Sequence, residues 1–173
     1  MTESVTPVPP APTGTGITEA QIPTENPAVR TVKAALAAHG VYASTTYGQS
    51  MEPLFRTHRD LVFLSPPDGP FRRFDVILYP GHHENCLLHR IVGIAKDGTL
   101  LVRGDNTFCL EHIPPSDVLA VLTEFTRKKK HHRVTDRSYR LYVRVWNAIY
   151  PVRLVVHKVH VLLSAAAHKL LGK

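Results

Sequence analysis

Across residues 41–125 the chain offers no ten-residue helical pattern: short β-prone runs follow one another, separated by Gly, Pro and Asp. Strands joined without intervening helices cannot build parallel βαβ units, so the segment predicts a compact, mostly antiparallel sheet. The expected strands are 41–46, 61–64, 75–79, 86–94, 99–103 and 118–125, with Lys96-Asp97-Gly98 as the hairpin turn between Ile94 and Thr99. A chain of 173 residues that is 43% hydrophobic and 20% charged can support one ordinary domain with a sizeable core. Such a balance excludes a wholly disordered or collagen-like chain. Cys86 and Cys109, the two cysteines, are too few for a disulfide scaffold or a four-thiolate zinc module.

The flanks read differently. Residues 1–25 are rich in Thr and Pro and poor in bulky apolar side chains, so they bury too little to offset the entropy of ordering and are expected to be disordered. Asn26 and Pro27 form an N-cap and first-turn signal; with Val29, Val32, Leu36 and the closing Gly40 they predict a helix over 27–39. Beyond a basic run at 127–133, read as a solvated linker, Arg137, Arg140, Arg144 and Asn147 recur at helical spacing. Tyr139, Tyr142, Val143, Val145, Trp146 and Ile149 fill the opposite side until Pro151 breaks the pattern. A second helix over 152–171 places Arg153, His157, His160, Ser164 and His168 on one stripe, and Val152, Val155, Val159, Leu162, Leu163, Ala166 and Leu170 on another. The expected organisation is a disordered arm (1–25), a β domain (26–126) and a basic amphipathic helical tail (127–173).

Charge divides along the same boundary. Up to residue 126 there are 9 Lys and Arg against 13 Asp and Glu; from 127 onward there are 12 against 1, so the net charge of +7 belongs to the tail. Such a tail suits an anionic membrane surface or a nucleic acid; helices that pack their apolar stripes together or on the sheet are the plain alternative. No apolar run approaches the roughly 18–20 residues that span a bilayer, and the N-terminus lacks a basic segment followed by an apolar one. Neither a transmembrane helix nor a cleaved leader is expected, and the expected location is cytoplasmic, with peripheral membrane contact through the tail as an option.

Chemistry enters at Gly48-Gln49-Ser50-Met51-Glu52-Pro53-Leu54, where a Gly/Pro-bounded turn after a strand exposes the Ser50 hydroxyl and aims backbone N–H groups at one point. A nucleophile and donors for a developing oxyanion are two needs of acyl transfer. Serine also needs a base. His89, in the apolar run 87–94, is the best-placed titratable group: an ordinary imidazole, near 6.5, is mostly neutral at pH 7, whereas an ordinary lysine, near 10.4, costs about 4.6 kcal/mol to deprotonate there. A carboxylate that orients the base completes the arrangement, and Asp105, just past the strand that hairpins back from His89, and Glu111 are the candidates. His82, His83, Cys86 and His89 have a spacing that suggests zinc, but along a strand Cys86 points with Leu88 and Arg90, and His89 with Leu87 and Ile91. No metal and no cofactor are therefore expected. Cys109, near Asp105, is a candidate reactive thiol, against the commoner reading of a lone buried cysteine as inert.

Taken together, these segments resemble the signal peptidase-like superfamily of serine peptidases (families S24 and S26), which spans signal peptidases and the LexA-like self-cleaving repressors. The resemblance covers residues 43–125. Gly48, Ser50, Met51, Pro53 and Leu54 match its nucleophile box, His89-Arg90-Ile91-Val92-Gly93 its base motif, and Gly104-Asp105-Asn106 its Gly-Asp-Asn box; Asp60-Leu61-Val62 and Phe74-Asp75-Val76-Ile77 look like its paired strands. The resemblance implies a β core of that type, with Ser50 as nucleophile. A histidine where many members have lysine resembles the histidine-base signal peptidase branch. In that branch the acid can fall beyond the Gly-Asp-Asn box, which keeps Glu111 beside Asp105. Gly48 stands where many bacterial members carry a serine oxyanion donor, leaving the Ser50 N–H for that role.

The expected function is thus serine endopeptidase hydrolysis through an acyl-enzyme, with Ser50, His89 and Asp105 or Glu111 as catalytic residues. The resemblance implies a peptide or protein substrate held as an extended strand on a sheet edge. The competing expectation is a non-catalytic module of the same fold whose basic tail binds nucleic acid or an anionic membrane.

Overall fold

The computed structural model describes residues 26–82 and 84–170, with side chains as far as residue 165; the arm 1–25 lies outside the described residues. The first element follows from its caps. Asn26 Oδ1 accepts from the Ala28 N–H at 2.8 Å, Pro27 occupies the first turn, and Gly40, at φ +67°, donates its N–H to the Leu36 carbonyl, so α1 spans Pro27–His39. Val29 and Val32 are its buried side chains.

Eight strands follow among the described residues: β1 (Tyr42–Thr45), β2 (Leu61–Ser65), β3 (Val76–Pro80), β4 (Cys86–Ile94), β5 (Leu100–Arg103), β6 (Glu111–Ile113), β7 (Ala120–Arg127) and β8 (Lys130–Arg133). Every pairing is antiparallel, in the order β1-β2-β7-β3-β4-β5-β6, with β8 on β7. The chain therefore forms the mainly β core with helical ends that its sequence predicts. β2 and β3, read from the sequence as a pair, instead flank β7, which bonds to both. β8 was not expected at all. It forms because Lys128 and Lys129 both adopt positive φ, 50° and 65°, in a two-residue turn that folds the basic run back on β7 in register Arg127↔Lys130. The sheet thus extends past residue 126, and His132 stacks on Phe125 of β7.

β3 is buried on both faces, and its alternation creates two cores. Val76 and Leu78 join Met51, Leu54, Phe55, Val62, Leu64 and Phe125 beneath α1 and the C-terminal helices. Ile77 and Tyr79 join Ile91, Leu100, Val102 and Val118 on the other side. A register shift between Ile91 and Gly93 bends β4 against β5.

Two helices close the described chain, α2 (Arg137–Ala148) and α3 (Tyr150–Leu170), bent by 49°. Pro151 lies in the first turn of α3 and so starts a helix instead of ending one. Tyr139 and Val143 bury as the periodicity predicts, whereas Val145 and Ile149, expected on the same packed side, are exposed. Among the described residues no single helix is long and apolar enough to cross a membrane.

Candidate active site

Alternation along β4 sends His89 and Arg90 to opposite faces, and each finds a different carboxylate. His89 Nδ1 lies 2.8 Å from Glu111 Oε1, brought over by β6 pairing with β5. The Tyr79 hydroxyl lies 2.8 Å from the same Nδ1 and donates to Glu111 Oε2 at 2.9 Å. Arg90, fully buried, grips Asp105 through two bonds, Nε to Oδ1 and Nη2 to Oδ2, both 2.7 Å. Asp105, expected beside His89, is therefore committed elsewhere. The reason is register: Arg103 pairs with Arg90, so residue 105 shares the face of Arg90, and residue 104 that of His89.

These bonds determine the tautomer of His89. A carboxylate only accepts, and the single Tyr79 proton is directed to Glu111 Oε2, so Nδ1 must carry its own hydrogen to Glu111. In the neutral imidazole, Nε2 then keeps its lone pair. It has no hydrogen-bond partner among the described residues and is not sealed from solvent, although His89 as a whole is only 6% exposed. Burial, reinforced by the bond to Glu111 and its charge, pushes the Tyr79 phenol far above its ordinary value, so it remains a donor.

Ser50 approaches from the turn between β1 and β2. Its carbonyl accepts from the Asn106 N–H at 2.7 Å, and a Cβ built on Gly104 would lie 2.6 Å from that carbonyl oxygen and 3.1 Å from Ser50 Cβ. Only glycine fits at 104. Ser50 thus fills the space that a side chain at 104 would take and lines a cavity with Leu78, Cys86 and Leu88, whereas His89 does not line it and no hydrogen bond joins Ser50 to His89 among the described residues. Neither the Ser50 hydroxyl nor its N–H has a hydrogen-bond partner among the described residues.

The C-terminal helices reach the same loop. The Asp105 carbonyl accepts from Trp146 Nε1 at 2.9 Å and Arg153 Nη2 at 2.8 Å, and Arg90 Nη1 donates to the Tyr139 hydroxyl at 3.0 Å. A cavity of about 500 Å³ opens beside Ser50, between β1 and the first half of β4, with Ala28, Thr31 and Val32 of α1 along it.

Tyr79 was missed from the sequence. Its signal was present: Ile77 pairs with His89, so Tyr79, two residues on, must share the His89 face. Cys86 packs with the opposite core, as alternation requires, and burial raises its thiol pKa; Cys109, read as buried, is exposed. His83 lies outside the described residues, among which no group of three or more His, Cys, Asp or Glu is arranged to hold a metal ion. Compared with protein-family models, with curated proteins and with solved structures, the chain finds no match.

Proposed function

We propose that the chain is a serine endopeptidase of the signal peptidase-like type, working through a Ser50–His89–Glu111 site. The observation that carries this reading is the His89–Glu111 pair, joined by Tyr79, together with a Ser50 hydroxyl that has no hydrogen-bond partner among the described residues and borders a cavity. Ser50 Oγ attacks the substrate carbonyl carbon while His89 Nε2 takes its proton. The oxyanion forms against the Ser50 N–H. His89 then returns that proton to the departing amine as the C–N bond breaks, and water, deprotonated by the same nitrogen, releases the acyl group from Ser50. Glu111 holds the imidazole in its working tautomer and balances the imidazolium that each transfer creates. Asp105 serves instead as a structural partner of Arg90.

The substrate is an extended peptide. Among the described residues β1 bonds to β2 alone, and β4 before Arg90 bonds to β3 alone, so two strand edges border the cavity beside Ser50. A strand laid between them gains main-chain hydrogen bonds from each.

The test is turnover of a fluorogenic library of extended peptides by the purified chain. Ser50→Ala and His89→Ala should each remove at least about 10³-fold of kcat while leaving the unfolding midpoint within a few degrees. Undiminished cleavage by Ser50→Ala sinks the reading.

A further inference from the structure

A surface helix usually sets its apolar stripe on the core and its polar face in water. Here Arg153 and His157 of the polar stripe contact the loop after β5, while His157 and His160 stay exposed and Leu154 is half-buried. Arg153 donates to the Asp105 carbonyl and lies 3.9 Å from the centre of the Trp146 ring, while His157 stacks on Phe108 at 4.1 Å. The apolar stripe is left in solvent: Val152 and Val156 are 66% and 62% exposed. It also continues across the bend. Leu141, Val145 and Ile149 lead into Val152, Val156 and Val159 at spacings of three and four, all exposed, along roughly 27 Å at 1.5 Å per residue. A continuous exposed apolar strip of this length marks an interaction surface.

The charges around it select the occupant. Residues 137–173 hold seven Lys and Arg and no Asp or Glu. Arg140 and Arg144, beside the strip on α2, are exposed and form no ion pair among the described residues. A second copy of the chain would bring the same cations against them, whereas a phospholipid surface supplies apolar depth beneath the strip and anionic headgroups at its sides.

We propose that the bent α2–α3 pair seats the protein on an anionic membrane surface, with Leu141, Val145, Ile149, Val152, Val156 and Val159 immersed at the headgroup–acyl boundary and Arg140 and Arg144 at the phosphates. The proposal is independent of the peptidase reading and predicts nothing about turnover.

Co-sedimentation of the full chain with phosphatidylcholine vesicles, with and without phosphatidylglycerol, tests it. The expected result is capture by the anionic vesicles, weakened at least about tenfold by raised salt and by Arg140→Glu/Arg144→Glu, and by a similar factor in Val156→Asp/Val159→Asp. Both variants change only exposed side chains, and unchanged far-ultraviolet circular dichroism and unfolding midpoints identify them as folded. Failure to bind anionic vesicles at low salt overturns the proposal, as does wild-type binding by the folded Val156→Asp/Val159→Asp variant. A lipid-free dimer dissolved by that variant, retention of the chain in vesicles after alkaline carbonate extraction, or binding to RNA without binding to vesicles would each assign the strip to another occupant and overturn it too.

Discussion

At the scale of single residues, two carboxylates close in sequence carry opposite duties. Asp105 is buried and clamped by the Arg90 guanidinium, whose charge Asp105 stabilises so strongly that its pKa is raised despite complete burial. Removing one member of such a pair strands the other in a dry interior. Asp105→Asn should therefore lower unfolding free energy by about 3–5 kcal/mol, read by urea titration. Glu111→Gln leaves that pair intact and disturbs only His89 and Tyr79; it should lower kcat about 10²–10⁴-fold with a nearly unchanged urea midpoint. The opposite assignment, Asp105 as the orienting acid, would exchange those two outcomes. Gly104→Ala is a third probe. Its methyl would press on the Ser50 carbonyl oxygen at 2.6 Å, so the turn must shift, costing about 1–3 kcal/mol and displacing Ser50, to be seen as reduced turnover together with a lowered midpoint.

Among the elements, the turn that carries Ser50 is held at its far end by Asp60. This fully buried carboxylate accepts from Arg59 Nε and Nη2 at 2.8 and 2.6 Å, from the Arg56 N–H at 2.9 Å and from the Lys128 N–H at 3.3 Å. It thereby ties the β1–β2 connection to the β7–β8 turn. Burial alone would raise its pKa, but Arg59 and the two N–H donors outweigh burial and hold it below the ordinary aspartate value. A depressed folded value gives stability that is present above the unfolded pKa, about 3.9, and is lost as the pH falls through and below it. Urea midpoints measured between pH 6 and pH 2 should fall along that limb, and Asp60→Asn should flatten it while lowering the neutral-pH plateau by about 1–3 kcal/mol.

For the whole molecule, stability should be layered by position in the sheet. β3, β4 and β7 are central: β3 is bonded on both sides and contributes to both cores, while β1 and β6 are edges with one partner each among the described residues. Native-state hydrogen exchange should find the slowest amides in β3 and the parts of β4 and β7 that flank it, opening only with global unfolding. β1, β6 and the outer turns of α3 should exchange through smaller local openings. Uniform protection across all eight strands would contradict the layered picture. The same architecture explains why the C-terminal helices are not an appendage: Tyr139 and Val143 complete one core, and Trp146 and Arg153 bond the Asp105 carbonyl beside the Ser50 turn.

The sequence by itself determined whatever depends on neighbours along the chain. Asn26, Pro27 and Gly40 bounded α1, Lys96-Asp97-Gly98 turned β4 into β5, and period-two alternation put Cys86 and His89 on opposite faces, because caps, turns and pleats are local physics. Ser50, His89, Asp105 and Glu111 were legible as candidates for the same reason, each standing out by type and by immediate setting. The tertiary structure alone decided which acid meets the imidazole, that Tyr79 joins them, and that Arg153 of α3 reaches the Asp105 carbonyl. Each of these is settled by register or docking between segments 10 to 50 residues apart. A one-residue slip between β4 and β5 would have exchanged the partners of His89 and Arg90, and nothing local to either residue says which register the sheet adopts.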